Sequence, residues 1–171
     1  MRARSSLAPI VAVVVAVVLA SAPAGAQQPS DAGVQPYVFA APGGISNGGT
    51  SVHLGGGADL LAWKGLGASF EGGYLAPMGA GFDYGIGVVS ANVFYQFGRP
   101  GRRRPTPFVT GGYSLAFRGE TANAVNIGAG LTYWLSDGLG LRMEVRDHLP
   151  VEDGIRDYHL WGARFGVTWR R

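Results

Sequence analysis

The 171-residue chain has no cysteine, only 15% charged residues and, from Gln35 to Trp169, no stretch with a 3.6-residue apolar repeat. The missing cysteine excludes disulfide frameworks, thiolate metal sites, a cysteine nucleophile and a lipid-modified cysteine anchor. The missing helical repeat excludes amphipathic helices as the main element. Neither sign of charge dominates, with 14 basic and 11 acidic residues. Arginines cluster only at Arg102-Arg103-Arg104 and Arg170-Arg171, without interleaved aromatics or an RNP-like or helix-turn-helix pattern, so no nucleic-acid partner is expected. A phosphate-cradling loop, a His-Glu-x-x-His helix and a dinucleotide fingerprint are also lacking, and no cofactor is expected. Glycine is abundant instead, at 29 residues, yet without a Gly-X-Y period and beside 11% aromatics, which excludes collagen and plain disorder. A chain of this length allows one domain.

The first residues read as an address. Arg2 and Arg4 precede an uncharged apolar run from Leu7 to Ala20, and Ala24-Gly25-Ala26 then offers a cleavage site before Gln27. The run is shorter than the roughly 20 residues that a membrane-crossing helix needs. A secretory signal peptide over 1–26 is therefore expected, followed by a short periplasmic segment over 27–34 and a barrel over 35–171. Cleavage leaves 12 basic and 11 acidic residues, a net charge of +1.

Beyond Gln35, apolar and polar residues alternate with period two between clusters of Gly, Pro, Asn and Asp. The pattern predicts eight strands, at 35–41, 51–62, 65–76, 84–98, 106–118, 123–135, 139–149 and 157–169. Most run to 11 residues or more, beyond the usual soluble strand and long enough for a tilted membrane strand. Trp63-Lys64-Gly65 and Ser136-Asp137-Gly138 read as tight turns. On the opposite end, 42–50, 77–83, 119–122 and 150–156 read as longer, extracellular loops, the first two glycine-rich. The connection from Gly98 to Pro105 reads as a basic periplasmic loop.

The two faces separate a membrane barrel from a soluble one. In the seventh strand Leu139, Leu141, Met143 and Val145 alternate with Gly140, Arg142, Glu144, Arg146 and His148. No soluble core would hold Arg-x-Glu-x-Arg behind a solvent face of Leu-x-Leu-x-Met-x-Val. The expected fold is an all-β, eight-stranded antiparallel up-and-down transmembrane β-barrel with its greasy face toward lipid. Tyr37, Tyr95, Phe97, Tyr133 and Trp169 then form an aromatic girdle at the short-turn end. The polar face puts Asp59, Glu71, Arg118, Arg142, Glu144, Arg146 and Arg164 in the lumen. The interior of an eight-stranded barrel is just wide enough to be filled by side chains. These charges should therefore pair, since a lone buried charge costs several kcal/mol.

The stretches Asn126-Ile127-Gly128-Ala129-Gly130-Leu131-Thr132-Tyr133-Trp134-Leu135 and Gly140-Leu141-Arg142-Met143-Glu144-Val145-Arg146-Asp147, with the strand ending Val167-Thr168-Trp169, resemble the small outer-membrane β-barrel proteins of the OmpA/OmpX type. The resemblance spans the mature chain, without the peptidoglycan-binding domain that some relatives carry. It implies the outer membrane as location, its lipids as neighbours and the barrel-assembly machinery as a partner during biogenesis. Many relatives end on an aromatic residue that this machinery reads, whereas Arg170-Arg171 follow Trp169 here.

A non-enzymatic structural or surface-interaction protein is the expected function, with an extracellular partner that the sequence does not name. A narrow channel for small solutes or ions is the first alternative. A lipid-modifying enzyme is the second, because Ser51, His53 and Asp59 share one strand face in the order of a nucleophile, a base and its orienting carboxylate. His148 and His159, beside Asp147, Glu152, Asp153 and Asp157, have the ligand chemistry for a divalent cation. A solvated loop near charged lipid headgroups is the favoured reading of them, and no catalytic residue or metal site is expected.

Overall fold

A computed structural model describes residues 33–46, 48–79, 82–98, 103–151 and 159–170. The 1–26 region read as a signal peptide, all but the end of the 27–34 segment, and Arg102 and Arg171 lie outside the described residues. Eight strands follow one another: β1 (Gly33–Ile45), β2 (Gly49–Trp63), β3 (Leu66–Pro77), β4 (Ile86–Gln96), β5 (Pro105–Arg118), β6 (Glu120–Trp134), β7 (Leu139–Pro150) and β8 (Leu160–Trp169). Each pairs antiparallel with the next, and β1 pairs with β8 to close a barrel. Paired residues followed once around the wall, from Gln35 through Asp59, Asn92, Asn126 and Leu160, lead back to β1 at Ile45, ten residues further on. A stagger of that kind goes with strands tilted by about 40° and a lumen filled by side chains.

The alternation in the sequence becomes an inside and an outside. Val93, Val109, Ile127, Val145 and Phe165 face outward and exposed, while Asn92, Gln96, Thr110, Asn126, Arg146 and Arg164 are buried within. This inversion of a soluble core suits a barrel surrounded by hydrocarbon. Small residues keep the interior from overfilling. At Gly130 a Cβ would run into the Met143 carbonyl and come within 2.7 Å of the Phe108 ring, so the rings inside the barrel can lie against bare backbone. Lys64 and Gly65 take φ of 47° and 87°, the left-handed pair that a two-residue hairpin requires.

The connections depart from the expected asymmetry of short turns and long loops. β1 and β2 stay paired to Ile45↔Gly49, leaving three residues between them, and Gly119 alone, at φ 80°, joins β5 to β6. The regions read as loops at 42–50 and 119–122 are thus mostly strand. Pro42-Gly43-Gly44 runs extended despite its turn-like composition, since Pro42 needs no hydrogen-bond acceptor and the glycines allow close approach. The β1–β8 ladder accordingly skips from Ala40↔Phe165 to Gly43↔Gly162. At the same end, residues 78–85 carry a short 3-10 turn at Phe82–Tyr84, and nine residues separate β7 from β8.

At the chain's far end Arg170 continues the wall. Its backbone N–H donates to the Gly138 carbonyl, its guanidinium donates to the Asp137 carbonyl at 2.6 and 3.0 Å, and it lies 4.8 Å from the Trp134 ring centroid. The arginine after the last aromatic residue is therefore built into the β6–β7 turn. Arg170→Ala is expected to leave the barrel intact and loosen this turn, seen as faster amide exchange at Gly138 and Leu139; unchanged exchange would count against that role.

Candidate functional site

The inward face is layered. At the short-turn end Leu61, Phe94 and Phe108 form a buried apolar cluster, with Trp134 fully buried at the same end. Above it lies a belt of charge. Asp59 accepts from Arg142 Nη1; Arg142 Nη2 also reaches Glu144 Oε2 at 3.4 Å; Arg146 Nε donates to Glu144 Oε1 at 2.5 Å and Arg146 Nη1 to Glu71 Oε1 at 2.8 Å. Arg164 completes the chain with a two-pronged grip on Glu71, at 2.9 and 3.0 Å, and its Nη2 lies 3.5 Å from His53 Nδ1. Three carboxylates alternate with three guanidiniums, so the belt is neutral and no charge in it lacks a counter-ion.

Aromatic rings brace the arginines. Arg142 lies 4.4 Å from the Tyr37 centroid and 4.1 Å from that of Phe108, and Arg164 lies 4.3 Å from that of Phe39. A guanidinium over a ring face is held by the ring's quadrupole where water is excluded. On the loop side of the belt comes an uncharged polar layer. Asn126 Nδ2 donates to Asn92 Oδ1 and Ser114 Oγ at 2.8 and 2.9 Å, while Ser114 also meets Ser90 at 2.8 Å and His148 Nδ1 at 3.2 Å.

Six of the seven lumen charges read from the sequence, Asp59, Glu71, Arg142, Glu144, Arg146 and Arg164, meet in this belt. Arg118 does not: it stands exposed at the loop-side rim and donates to the Asp83 and Tyr84 carbonyls at 3.0 and 2.9 Å. Its strand position is in phase with the inward face, but β5 has by then reached its last residue, where the lumen has given way to a loop. Among the girdle residues, Tyr95, Phe97, Tyr133 and Trp169 face outward and exposed. Tyr37 does not belong with them. It is 2% exposed inside the barrel, and its hydroxyl donates to Glu71 Oε2 at 2.9 Å and lies 3.2 Å from Ser69 Oγ. β1 carries apolar residues on both faces, with Val34, Val38 and Ala40 outward and Tyr37, Phe39 and Ala41 inward. Phe94, at an even position between Asn92 and Gln96, carried the signal that aromatics line this lumen too.

Tyr37→Phe keeps the ring under Arg142 and removes one donor to the belt. It is expected to cost about 1 kcal/mol of unfolding free energy, read by urea titration of the lipid-embedded protein; a neutral result would return Tyr37 to the girdle.

Ser51, His53 and Asp59 do share the inward face of β2. Asp59 is held by Arg142 and His53 faces Arg164, and no hydrogen bond joins Ser51 to His53 among the described residues. The carboxylate thus orients a guanidinium rather than the imidazole, and no triad is assembled. The two loop histidines are split by the barrel wall. His148 points into the lumen, whereas His159 is exposed and its Nδ1 lies 2.9 Å from Asp147 Oδ2. Glu152, Asp153 and Asp157 lie outside the described residues, and among the described residues no three metal-ligating side chains cluster.

A closed eight-stranded barrel, greasy outside and ion-paired inside, is the architecture of the small outer-membrane barrels of the OmpA/OmpX type. No family model and no curated protein matches the sequence. Among solved structures, it is similar to the N-terminal β-barrel domain of Pseudomonas aeruginosa OprF, with a TM-score of 0.65 at 17% identity over 82% of this chain and 98% of that one. Neisserial surface protein A follows with a TM-score of 0.58 at 16% identity, over 80% of this chain and 95% of that one. The outer membrane enzyme PagL has a TM-score of 0.53 at 20% identity, over 77% of this chain and 97% of that one. These likenesses show a shared fold.

Proposed function

We propose that the protein is a non-enzymatic barrel of the outer membrane with a sealed lumen, serving a structural or surface-contact role. The observation that carries this reading is the continuous chain from Asp59 through Arg142, Glu144, Arg146 and Glu71 to Arg164, which ties β2, β3, β7 and β8 together across the interior. Opening a water path there would separate charges that have no other partner. The apolar cluster of Phe94, Phe108 and Leu61 beneath it supports the same reading. The outward apolar belt supports a lipid setting, with assembly into the membrane by the barrel-assembly machinery.

Reconstitution into planar bilayers tests the seal. The expected record is flat, without unitary current steps, while the same preparation shifts mobility between boiled and unboiled samples in SDS. Reproducible steps from such heat-modifiable protein would favour the channel instead. One protein of similar fold is an enzyme, so the lipid-modifying alternative has its own test: Ser51→Ala is expected to leave the lipid A of the host membrane unchanged.

A further inference from the structure

On the loop side of the belt, walled by β1, β2, β3, β7 and β8, lies a small chamber of about 20 Å³ whose polar lining comes from Ser51, His53, Arg146, His148 and Arg164. A space of that size holds one water-sized guest. What surrounds it is rich in donors and short of acceptors. Glu71 has both oxygens occupied twice over, by Arg146, Arg164 and Tyr37, and both Glu144 oxygens are engaged by Arg142 and Arg146. Arg146, buried to 1% exposure, still has Nη2 without a protein partner. Arginine offers only protons, so His53 Nδ1 accepts from Arg164 and the ring proton sits on Nε2, a second buried donor that no protein acceptor meets. Two guanidiniums facing the chamber disfavour a metal cation there, although two imidazoles line it.

We propose that this chamber is a binding site for a single small monovalent anion of halide size. The guest accepts from Arg146 and the Ser51 hydroxyl, and the apolar part of the wall, Ala41, Leu75 and Leu160, sets the size limit. The belt is neutral overall, so the guest is held by unpartnered donors rather than by excess charge, and sulfate, a larger divalent tetrahedron, is the poorer fit to so small a space.

The test uses bromide alone as probe, with the full mature barrel folded in detergent in halide-free buffer. The line width of the bromide magnetic resonance signal is followed as protein is added. Wild type is expected to give excess broadening that saturates, is displaced by chloride and is untouched by sulfate at equal ionic strength. Ala41→Leu fills the chamber with carbon and should abolish the excess. Gly162→Ala is the milder second variant: a Cβ there meets Ala41 Cβ at 3.6 Å and the Pro42 carbonyl at 3.5 Å, ordinary contacts that leave folding intact. It should weaken bromide binding if Ala41→Leu fails to give a heat-modifiable barrel. Absence of excess broadening in wild type, displacement by sulfate as readily as by chloride, or persistence in the folded variants would overturn the site.

Discussion

Glu71→Ala is expected to lower the unfolding free energy by about 3–5 kcal/mol, the cost of removing one partner from a buried ion pair and stranding the other. The effect sits at the high end because Glu71 is the hub. It takes two bonds from Arg164, one from Arg146 and one from Tyr37, so its removal leaves Arg164 with no carboxylate and Arg146 with Glu144 alone. Urea unfolding of the barrel in lipid vesicles, followed by the heat-dependent mobility shift, gives the number. Glu71→Gln keeps two hydrogen-bonding atoms and loses the charge, and should fall between wild type and alanine. A loss below about 1 kcal/mol for Glu71→Ala would mean that the belt behaves like solvated surface pairs, and the sealed lumen would have to be given up.

Val89→Arg tests the opposite face. Val89 is 41% exposed on the outward face of β4, paired with Gly72 on β3 and Leu115 on β5 and with Ala91 beside it on its own strand. A cation on the lipid face at bilayer mid-depth costs about 2–4 kcal/mol. On a surface facing water the same change would move stability by no more than about 0.5 kcal/mol. The variant therefore separates a membrane barrel from a soluble one by magnitude alone. It should be read in vesicles, since a detergent micelle adapts around the new charge. Asn126, on the inward face, provides the contrast: its side chain holds Asn92 and Ser114, and Asn126→Leu should unfold the barrel more easily in any solvent.

The fold was legible because period-two alternation maps directly onto the two sides of a barrel wall, and Arg142-Met143-Glu144-Val145-Arg146 declares both sides at once. The belt members were legible for the same reason. Which carboxylate meets which arginine was not, because Glu71 and Arg164 are 93 residues apart and face each other only through the barrel's stagger and closure. The face of Tyr37 escaped because β1 distributes Tyr, Phe, Val and Ala across both sides, and what decides it is the arginines from β7 and β8 that stack on its rings. Loop ends escaped where glycine and proline, the usual marks of a turn, serve instead to let β1 and β8 approach closely at Gly43 and Gly162. Arg118 shows the limit of phase alone: the correct parity at the last residue of a strand no longer points into a lumen.

The closing ladder between β1 and β8 joins Tyr37 to Thr168, so the two ends of the chain meet last if the wall grows strand by strand. Until they meet, Arg164 sits on the free edge strand and cannot reach Glu71 across a lumen that does not yet exist. An open, half-curled sheet would thus carry unmatched charge on its concave side, a species hydrocarbon rejects. In a membrane setting, closure and entry into the bilayer would then be coupled in time, because the belt is matched only in the finished ring.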